Sequence, residues 1–418
     1  MQGSASFRRQ AVAGDPEQAA RLVRALTYLV IVGVSAGFFW AYRQGYYQGL
    51  PFPHNTFLFN PGAHFSDLSD FYGPLRGHDP YATHSTYPPF AFIAMEPFSW
   101  LGGVDAMYLW LALAAGGLGA YVAWQLDFMP RIDRVAAVIV LTVATYPFLF
   151  AFDRGNIEVV VTLLLAAFVW GLQTDHPNLA AIAIGAAAAM KVYPLIFAAL
   201  FLVKKQWRQL SVTAVAGLLL SLLGSIYYDF NLIHAINLFR GNVPGYKQAY
   251  VFYDGGVAFG CSLWSPLKLL AVDALGGNTL TVHELLPIYT DASAVAAAGI
   301  VLALWRLPLR FWEQIALLTF AFDTLPTVSG DYKLLHLVVP MVLFLRYGAD
   351  DRLRWLYLAG FALLMVPKAY VLLRPDSAPY PWVNLGVVVD PLVMLVLGLT
   401  IVAAGLARLY SRIPAPAT

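Results

Sequence analysis

The sequence predicts an all-α polytopic membrane protein with about twelve transmembrane helices and a long first polar loop. Three observations carry that prediction. Hydrophobic residues make up 59% of the chain and charged residues 12%, whereas a soluble domain carries about 25% charged residues. Apolar runs recur along nearly the whole length and give a mean hydropathy of +0.64. Lys and Arg cluster at intervals between these runs, the pattern that keeps particular loops in the cytoplasm. The formal net charge is +2, so there is no nucleic-acid footprint. The single cysteine, Cys261, excludes an internal disulfide and a cysteine-based metal site.

The elements follow in order. Residues 1–21 form a polar cytoplasmic tail. Leu22–Tyr42 is the first span, a signal anchor whose flanking Arg8, Arg9, Arg21 and Arg24 keep the N-terminus inside. Residues 43–103 are then the first outer loop. Within it Phe90–Leu101 is apolar but short, and Pro97 interrupts it. Spans are expected at Met107–Gln125, Val135–Phe152, Ile157–Leu172, Leu179–Met190, Val192–Val203 and Leu210–Tyr227. Residues 229–283 read as a second long polar outer loop. The last spans are Leu285–Trp305, Phe311–Leu325, Tyr332–Leu345, Trp355–Leu373 and Trp382–Leu406, before a cytoplasmic tail at 410–418. The whole of 22–409 is one transmembrane domain. Several runs are too short for a straight crossing, which points to broken helices around a polar cavity.

The basic clusters test this parity. Arg131/Arg134, Lys204/Lys205/Arg208, Arg306/Arg310, Arg346/Arg352/Arg354 and Arg408/Arg412 all fall inside only on two conditions. Phe90–Leu101 must not fully cross, and Leu179–Val203 must be two segments hinged at Lys191–Pro194. The first loop, Asp153–Glu158, the Lys191–Pro194 hinge, residues 229–283 and Val328–His336 then share the outer face. Cys261 lies on that face too, open to an impermeant thiol reagent unless it is buried.

The first loop holds a dense polar stretch, His64–Pro89. Asp67 and Asp70 are three apart and share a face on a helical turn. Either suits a general base that takes the proton of an acceptor hydroxyl; the plainer reading is solvated loop acids, with Asp70 as a helix cap. His64, His78 and His84 with nearby aspartates fit no zinc spacing, and no metal site is assigned. Tyr81 and Tyr87-Pro88-Pro89 shape the loop and seat it at the interface. Arg154 and Lys191 stand at the mouths of apolar segments, where an anionic lipid phosphate is a natural partner, and helix starts at Asn156 and Val192 add backbone donors. The competing reading pairs Arg154 with Asp153 or Glu158 and lets Lys191 snorkel to the headgroups. Tyr193 flanks the hinge. Asp331, Lys333 and His336 open a late span; Asp331 and Lys333 pair with each other in the plainer reading, and His336 is then an ordinary core histidine. Asp291, Asp323, Lys368 and Asp390 sit in or near spans without a usable pattern.

These residues resemble a known family. An acid, an aromatic pair, Gly-x-Asp-Pro-Tyr and Tyr-Pro-Pro stand here as Asp67, Phe71-Tyr72, Gly77-His78-Asp79-Pro80-Tyr81 and Tyr87-Pro88-Pro89. With Gly155-Asn156, Lys191–Pro194 and His336 further on, the pattern is similar to the polyprenol-phosphate-dependent glycosyltransferases of family 87. This chain is shorter between Tyr72 and Gly77 than the usual pattern, and it lacks the glutamine that normally stands between the equivalents of Gly155 and Asn156. The resemblance implies a GT-C fold in the plasma (inner) membrane with an extracytoplasmic active site. It implies a polyprenyl-phosphate sugar donor, most readily of mannose, and a lipid or glycan acceptor. Transfer is then inverting, with Asp67 as the catalytic acid-base group, Asp70 beside it and no cofactor. Arg154, Asn156, Lys191, Tyr193, Lys333 and His336 are the expected donor-binding set. Besides membrane lipids, no further partner is implied. Two other classes compete: a transporter or lipid-linked sugar flippase, for which internal repeats would be expected, and a non-catalytic envelope scaffold.

Overall fold

The protein is described by a computed structural model covering residues 15–44, 65–68, 86–101, 103–228, 232–253, 257, 259–274, 279–368, 371–374 and 383–411. The described residues form a helical bundle with one small two-stranded ribbon among them, β1 Leu372–Arg374 and β2 Val383–Asn384. The helices are α1 Pro16–Tyr42, α2 Pro89–Ser99, α3 Gly103–Gln125, α4 Arg131–Val143, α5 Tyr146–Arg154, α6 Glu158–Gln173 and α7 Pro177–Met190. Then come α8 Tyr193–Val203, α9 Trp207–Tyr228, α10 Leu232–Tyr246, α11 Trp264–Leu269, α12 Thr279–Arg306 and α13 Phe311–Thr324. The last are α14 Val338–Tyr347, which extends a 3₁₀ turn at Asp331–Leu337, α15 Arg354–Met365 and α16 Gly386–Tyr410.

Among the described residues five helices are long and apolar enough to cross a bilayer alone: α1, α3, α9, the Thr281–Arg306 part of α12, and α16. A sixth span arises if α4 and α5, bent by 51° at a short break, are taken together. These helices mark the protein as an integral membrane protein. The remaining helices are short because the backbone breaks at polar residues, as irregular backbone does where it lines a cavity rather than lipid.

The two ends of the bundle differ in chemistry. α6 is 16 residues long, so its ends lie about 24 Å apart. Near its C-terminus Gln173 accepts from Gln125 (2.7 Å) and donates to Tyr347 Oη (3.0 Å). Arg346, beside that tyrosine, donates to the Gln125 carbonyl and to Asp127, both at 2.8 Å. Arg24–Asp133 and Arg310–Asp351 are further pairs of the basic clusters. The N-terminus of α6 is the end where Asp67, Lys191 and His336 meet.

The expected hinge is present. α7 stops at Met190, Lys191 is extended, and Pro194 opens the 3₁₀ start of α8. The chain turns back through α8 and then climbs again in α9, which packs parallel to α7. Gly185 makes this close packing possible: a Cβ there would stand 2.7 Å from the Thr213 carbonyl oxygen and 2.8 Å from Ala216 Cβ. α2 begins beside Lys191, whose ammonium lies over the Tyr87 ring at 4.9 Å. Further along α2, Glu96 accepts from Tyr227 (2.7 Å) and Tyr228 (3.2 Å) at the C-terminal end of α9. At 11 residues, α2 spans about 16 Å and is too short to cross.

Residues 229–283 correct the sequence reading. Where described, they are not a plain loop but a packed cap. α10, a π-helical turn at Lys247–Phe252 and α11 all lie there. Trp264 donates to the Val251 carbonyl and its ring lies 5.1 Å from that of Tyr289, whose hydroxyl is 3.0 Å from the carbonyl oxygens of Thr324 and Leu325. The cap thus sits on the α13–α14 junction. Cys261 is completely buried in it, 3.4 Å from Ser329 Oγ, so its thiol is closed to aqueous reagents.

Candidate active site

The site begins with a helix break. α5 ends on Gly155, which has φ +63°, and the Gly155 and Asn156 amides close the helix by bonding the carbonyls of Phe152 and Ala151. This is the left-handed C-terminal cap that favours glycine. Asn156 then receives the Glu158 amide on its side-chain oxygen at 3.0 Å and starts α6. The turn at 65–68 docks on this break. Phe65 N donates to the Asp153 carbonyl at 2.7 Å, and its ring meets Phe152 edge-on at 5.4 Å. Phe65 itself has φ +53°, an unusual backbone for a bulky residue. These contacts hold it there, as tertiary contacts hold strained residues at functional sites.

The docked turn presents Asp67. Its carboxylate accepts from Asn156 Nδ2 at 2.6 Å and from Arg154 Nη2 at 3.2 Å. Arg154 pairs with Asp67, not with Asp153 or Glu158, which corrects the simpler expectation. A Cβ on Gly155 would lie 2.6 Å from Leu68 Cβ. Gly155→Ala is therefore expected to push the Asp67 turn away and to add the left-handed backbone cost of about 1–2 kcal/mol. Thermal unfolding and turnover of the purified variant check this; a variant with wild-type values for both would mean that the turn does not depend on the glycine.

One step inward the groups are fully buried. Glu158 Oε1 receives Lys191 Nζ at 2.6 Å, and Glu158 Oε2 stands 3.2 Å from His336 Nε2. His336 Nδ1 is 3.0 Å from Asp323 Oδ1. A continuous chain thus runs Lys191–Glu158–His336–Asp323. Lys191 is not snorkelling, and His336 is not an ordinary core histidine: two carboxylates bracket it. Lys333 is buried with no hydrogen-bond acceptor for Nζ among the described residues, and it lies over the rings of Tyr193 (4.4 Å) and Phe322 (5.2 Å). Asp331 does not pair with it. Asp331 accepts instead from Tyr146 (2.8 Å), close to a buried Lys368–Asp390 pair (2.9 Å).

The structure therefore brings together Asp67, Arg154, Asn156, Lys191, Tyr193, Lys333 and His336, with Tyr87 against Lys191. Pro88 and Pro89 set the start of α2, which caps on Pro88. Asp70, Tyr81, His64, His78 and His84 lie outside the described residues. Sequence reasoning missed Glu158 as a partner of Lys191 and His336, and it left Asp323 without a role. The available signal was an acid at each of two helix ends that also carry cations, since a buried charge needs a partner.

The bundle has broken helices and buries Glu158, Lys191, His336 and Asp323 together beside Asp67, a layout that suits a membrane-embedded reaction site. The profile of glycosyltransferase family 87 matches residues 86–325, more than half of the chain. The chain belongs to glycosyltransferase family 87, a membrane family of the GT-C class, and is a glycosyltransferase; the transporter alternative falls away. Two relatives come from Mycolicibacterium smegmatis. The chain is 25% identical over 337 residues to the polyprenol-phosphate-mannose-dependent alpha-(1-2)-phosphatidylinositol pentamannoside mannosyltransferase, covering 70% of this chain and 76% of that protein. It is 30% identical over 158 residues to the polyprenol-phosphate-mannose-dependent alpha-(1-2)-phosphatidylinositol mannoside mannosyltransferase, covering 33% and 35%. No solved structure matches the chain.

Proposed function

We propose that the protein transfers mannose from a polyprenyl-phosphate donor to a lipid or glycan acceptor at the extracytoplasmic face, with inversion and with Asp67 as general base. The observation that carries this reading is the Asp67 carboxylate, aimed by Arg154 and Asn156 and held on the same helix break that starts the buried Glu158–Lys191 pair. An acceptor hydroxyl gives its proton to Asp67 while its oxygen bonds to the anomeric carbon. The bond from that carbon to the phosphate oxygen breaks on the opposite side, and polyprenyl phosphate leaves. Lys191, Lys333, Arg154 and His336 are the groups that meet the phosphate charge, and Tyr193 lines their pocket. Glu158 and Asp323 keep Lys191 and His336 in position. The sugar and the donor follow the two relatives' names. Purified protein in liposomes with radiolabelled polyprenyl-phosphate mannose and a mannolipid acceptor tests the reading. Label should move into the acceptor; label that stays on the polyprenyl phosphate would contradict it.

The topology belongs to the same reading. With α2 not crossing, α1, α3, α4–α5, α6, α7, α8, α9 and α12 to α16 make about twelve crossings. The basic clusters then all lie inside and the site outside. In a Cys261→Ser background, Ala249→Cys is expected to react with an impermeant thiol reagent from outside, and Arg208→Cys only after permeabilisation. Both positions are exposed. The reverse pattern would put the site on the cytoplasmic side. Parent protein should stay unlabelled while folded, since Cys261 is buried.

A further inference from the structure

We propose that the cap over the active site carries a docking cleft for the phosphodiester of an anionic lipid acceptor, with Arg240 and Lys247 as its cations. This rests on the transferase reading above. The cleft is open, about 400 Å³ in volume, and is lined by Arg240, Val243, Pro244, Lys247, Gln248 and Phe252. That size falls in the range of small-molecule sites. Its lining mixes two cations and an amide with apolar surface, which suits a charged headgroup joined to an acyl chain.

The backbone around the cleft is built in an unusual way. Pro244 lies inside α10, so it has no N–H to offer the Arg240 carbonyl one turn back. The helix then widens into the π turn Lys247–Phe252, a feature frequent at functional sites. The far end of that turn is fastened: the buried Lys268 donates to the carbonyls of Tyr250 (3.3 Å) and Tyr253 (3.1 Å). Phe252 stacks on His283 with ring centroids 3.7 Å apart.

The charge pattern points to an anion. Arg240 and Lys247 are exposed, and neither has an ion pair or a hydrogen bond to the described residues. They are seven apart, on one face of the helix. Exposed Lys and Arg are sparse on the outer side of a membrane protein by the positive-inside rule, so two unpaired cations over one cleft mark a site for negative charge. The cleft also adjoins the reaction centre. Tyr246, the residue before Lys247, is near enough to Lys191, Tyr193 and Tyr87 for all three to act on its hydroxyl electrostatically. In this proposal the lipid phosphate rests on Arg240 and Lys247 and the headgroup sugar reaches past Tyr246 toward Lys191 and Tyr193. The donor phosphate has its own cations deeper in the site, which leaves these two for the second substrate.

Binding of short-chain phosphatidylinositol to the purified full-length protein, read by fluorescence, tests this separately from transfer. The parent is expected to prefer phosphatidylinositol to phosphatidylcholine, and inorganic phosphate should compete poorly because it lacks the acyl chains. The double variant Arg240→Ala/Lys247→Ala should bind about tenfold or more weakly at an unchanged melting temperature, and Arg240→Lys/Lys247→Arg should restore binding. Equal binding of the two lipids, equal competition by inorganic phosphate, or undiminished affinity in the double variant would each overturn the proposal. Absence of mannose transfer in the parent would instead strike at the preceding reading and leave the lipid-binding result standing.

Discussion

Asp67→Asn is expected to remove sugar transfer while leaving a folded protein that still binds donor. General-base assistance contributes about 10²–10⁴-fold in rate, so turnover should fall by that factor. The substitution keeps the size of the side chain, and its amide oxygen can still accept from Asn156. Arg154 loses a charged partner, but that pair is partly open to solvent, where an ion pair contributes about 0–1 kcal/mol. The melting temperature should therefore move little. Radiolabel transfer, thermal unfolding and donor binding on one preparation separate these effects. Asp70→Asn, three residues on in the sequence, should retain measurable turnover. Full activity in the Asp67 variant with loss in the Asp70 variant would move the base to Asp70; full activity in both would remove this loop from catalysis.

The largest expected effect on folding is at Glu158. Its side chain has no exposed surface and faces both Lys191 and His336. Removing one partner of a buried pair leaves the other charge uncompensated and costs about 3–5 kcal/mol. Glu158→Ala should lower the melting temperature sharply. Combining it with Lys191→Met should recover part of the loss, because the orphaned ammonium goes with it. The coupling from the double-mutant cycle measures the pair. Additive losses would show that Lys191 does not depend on Glu158, and the buried chain described above would have to be redrawn.

Much of this arrangement was legible in the sequence for identifiable reasons. The Lys191–Pro194 hinge was readable because a proline cannot continue α7 and a lysine cannot sit in lipid unpaired. Asp67 stood out because it precedes Phe71-Tyr72 as the family's acid does, and the structure adds its contacts with Arg154 and Asn156. The Arg154–Asn156 break was readable as a helix mouth. What the sequence hid was pairing across the bundle. Nothing local tells Arg154 to choose Asp67 over its neighbour Asp153, because the choice depends on the turn at 65–68 docking through Phe65 and Leu68. His336 could not be seen to lie between Glu158 and Asp323, which are 178 and 13 residues away. Residues 229–283 looked like a loop because their apolar positions are scattered. The described part of this stretch packs because Trp264 and Val251 form a small core with Val282 and Tyr289. Cys261, expected to react with an impermeant reagent unless buried, proves to be buried.

The most direct test of the central claim is a structure of the full-length protein bound to a non-hydrolysable phosphonate analogue of polyprenyl-phosphate mannose. The phosphonate is expected against Lys191, Lys333 and His336. The acceptor-side face of the mannose should point at Asp67, leaving room for a hydroxyl within about 3 Å of its carboxylate. Sugar density at the Gln173–Arg346 end of the bundle, or a bound donor whose anomeric carbon faces away from Asp67, would contradict the account.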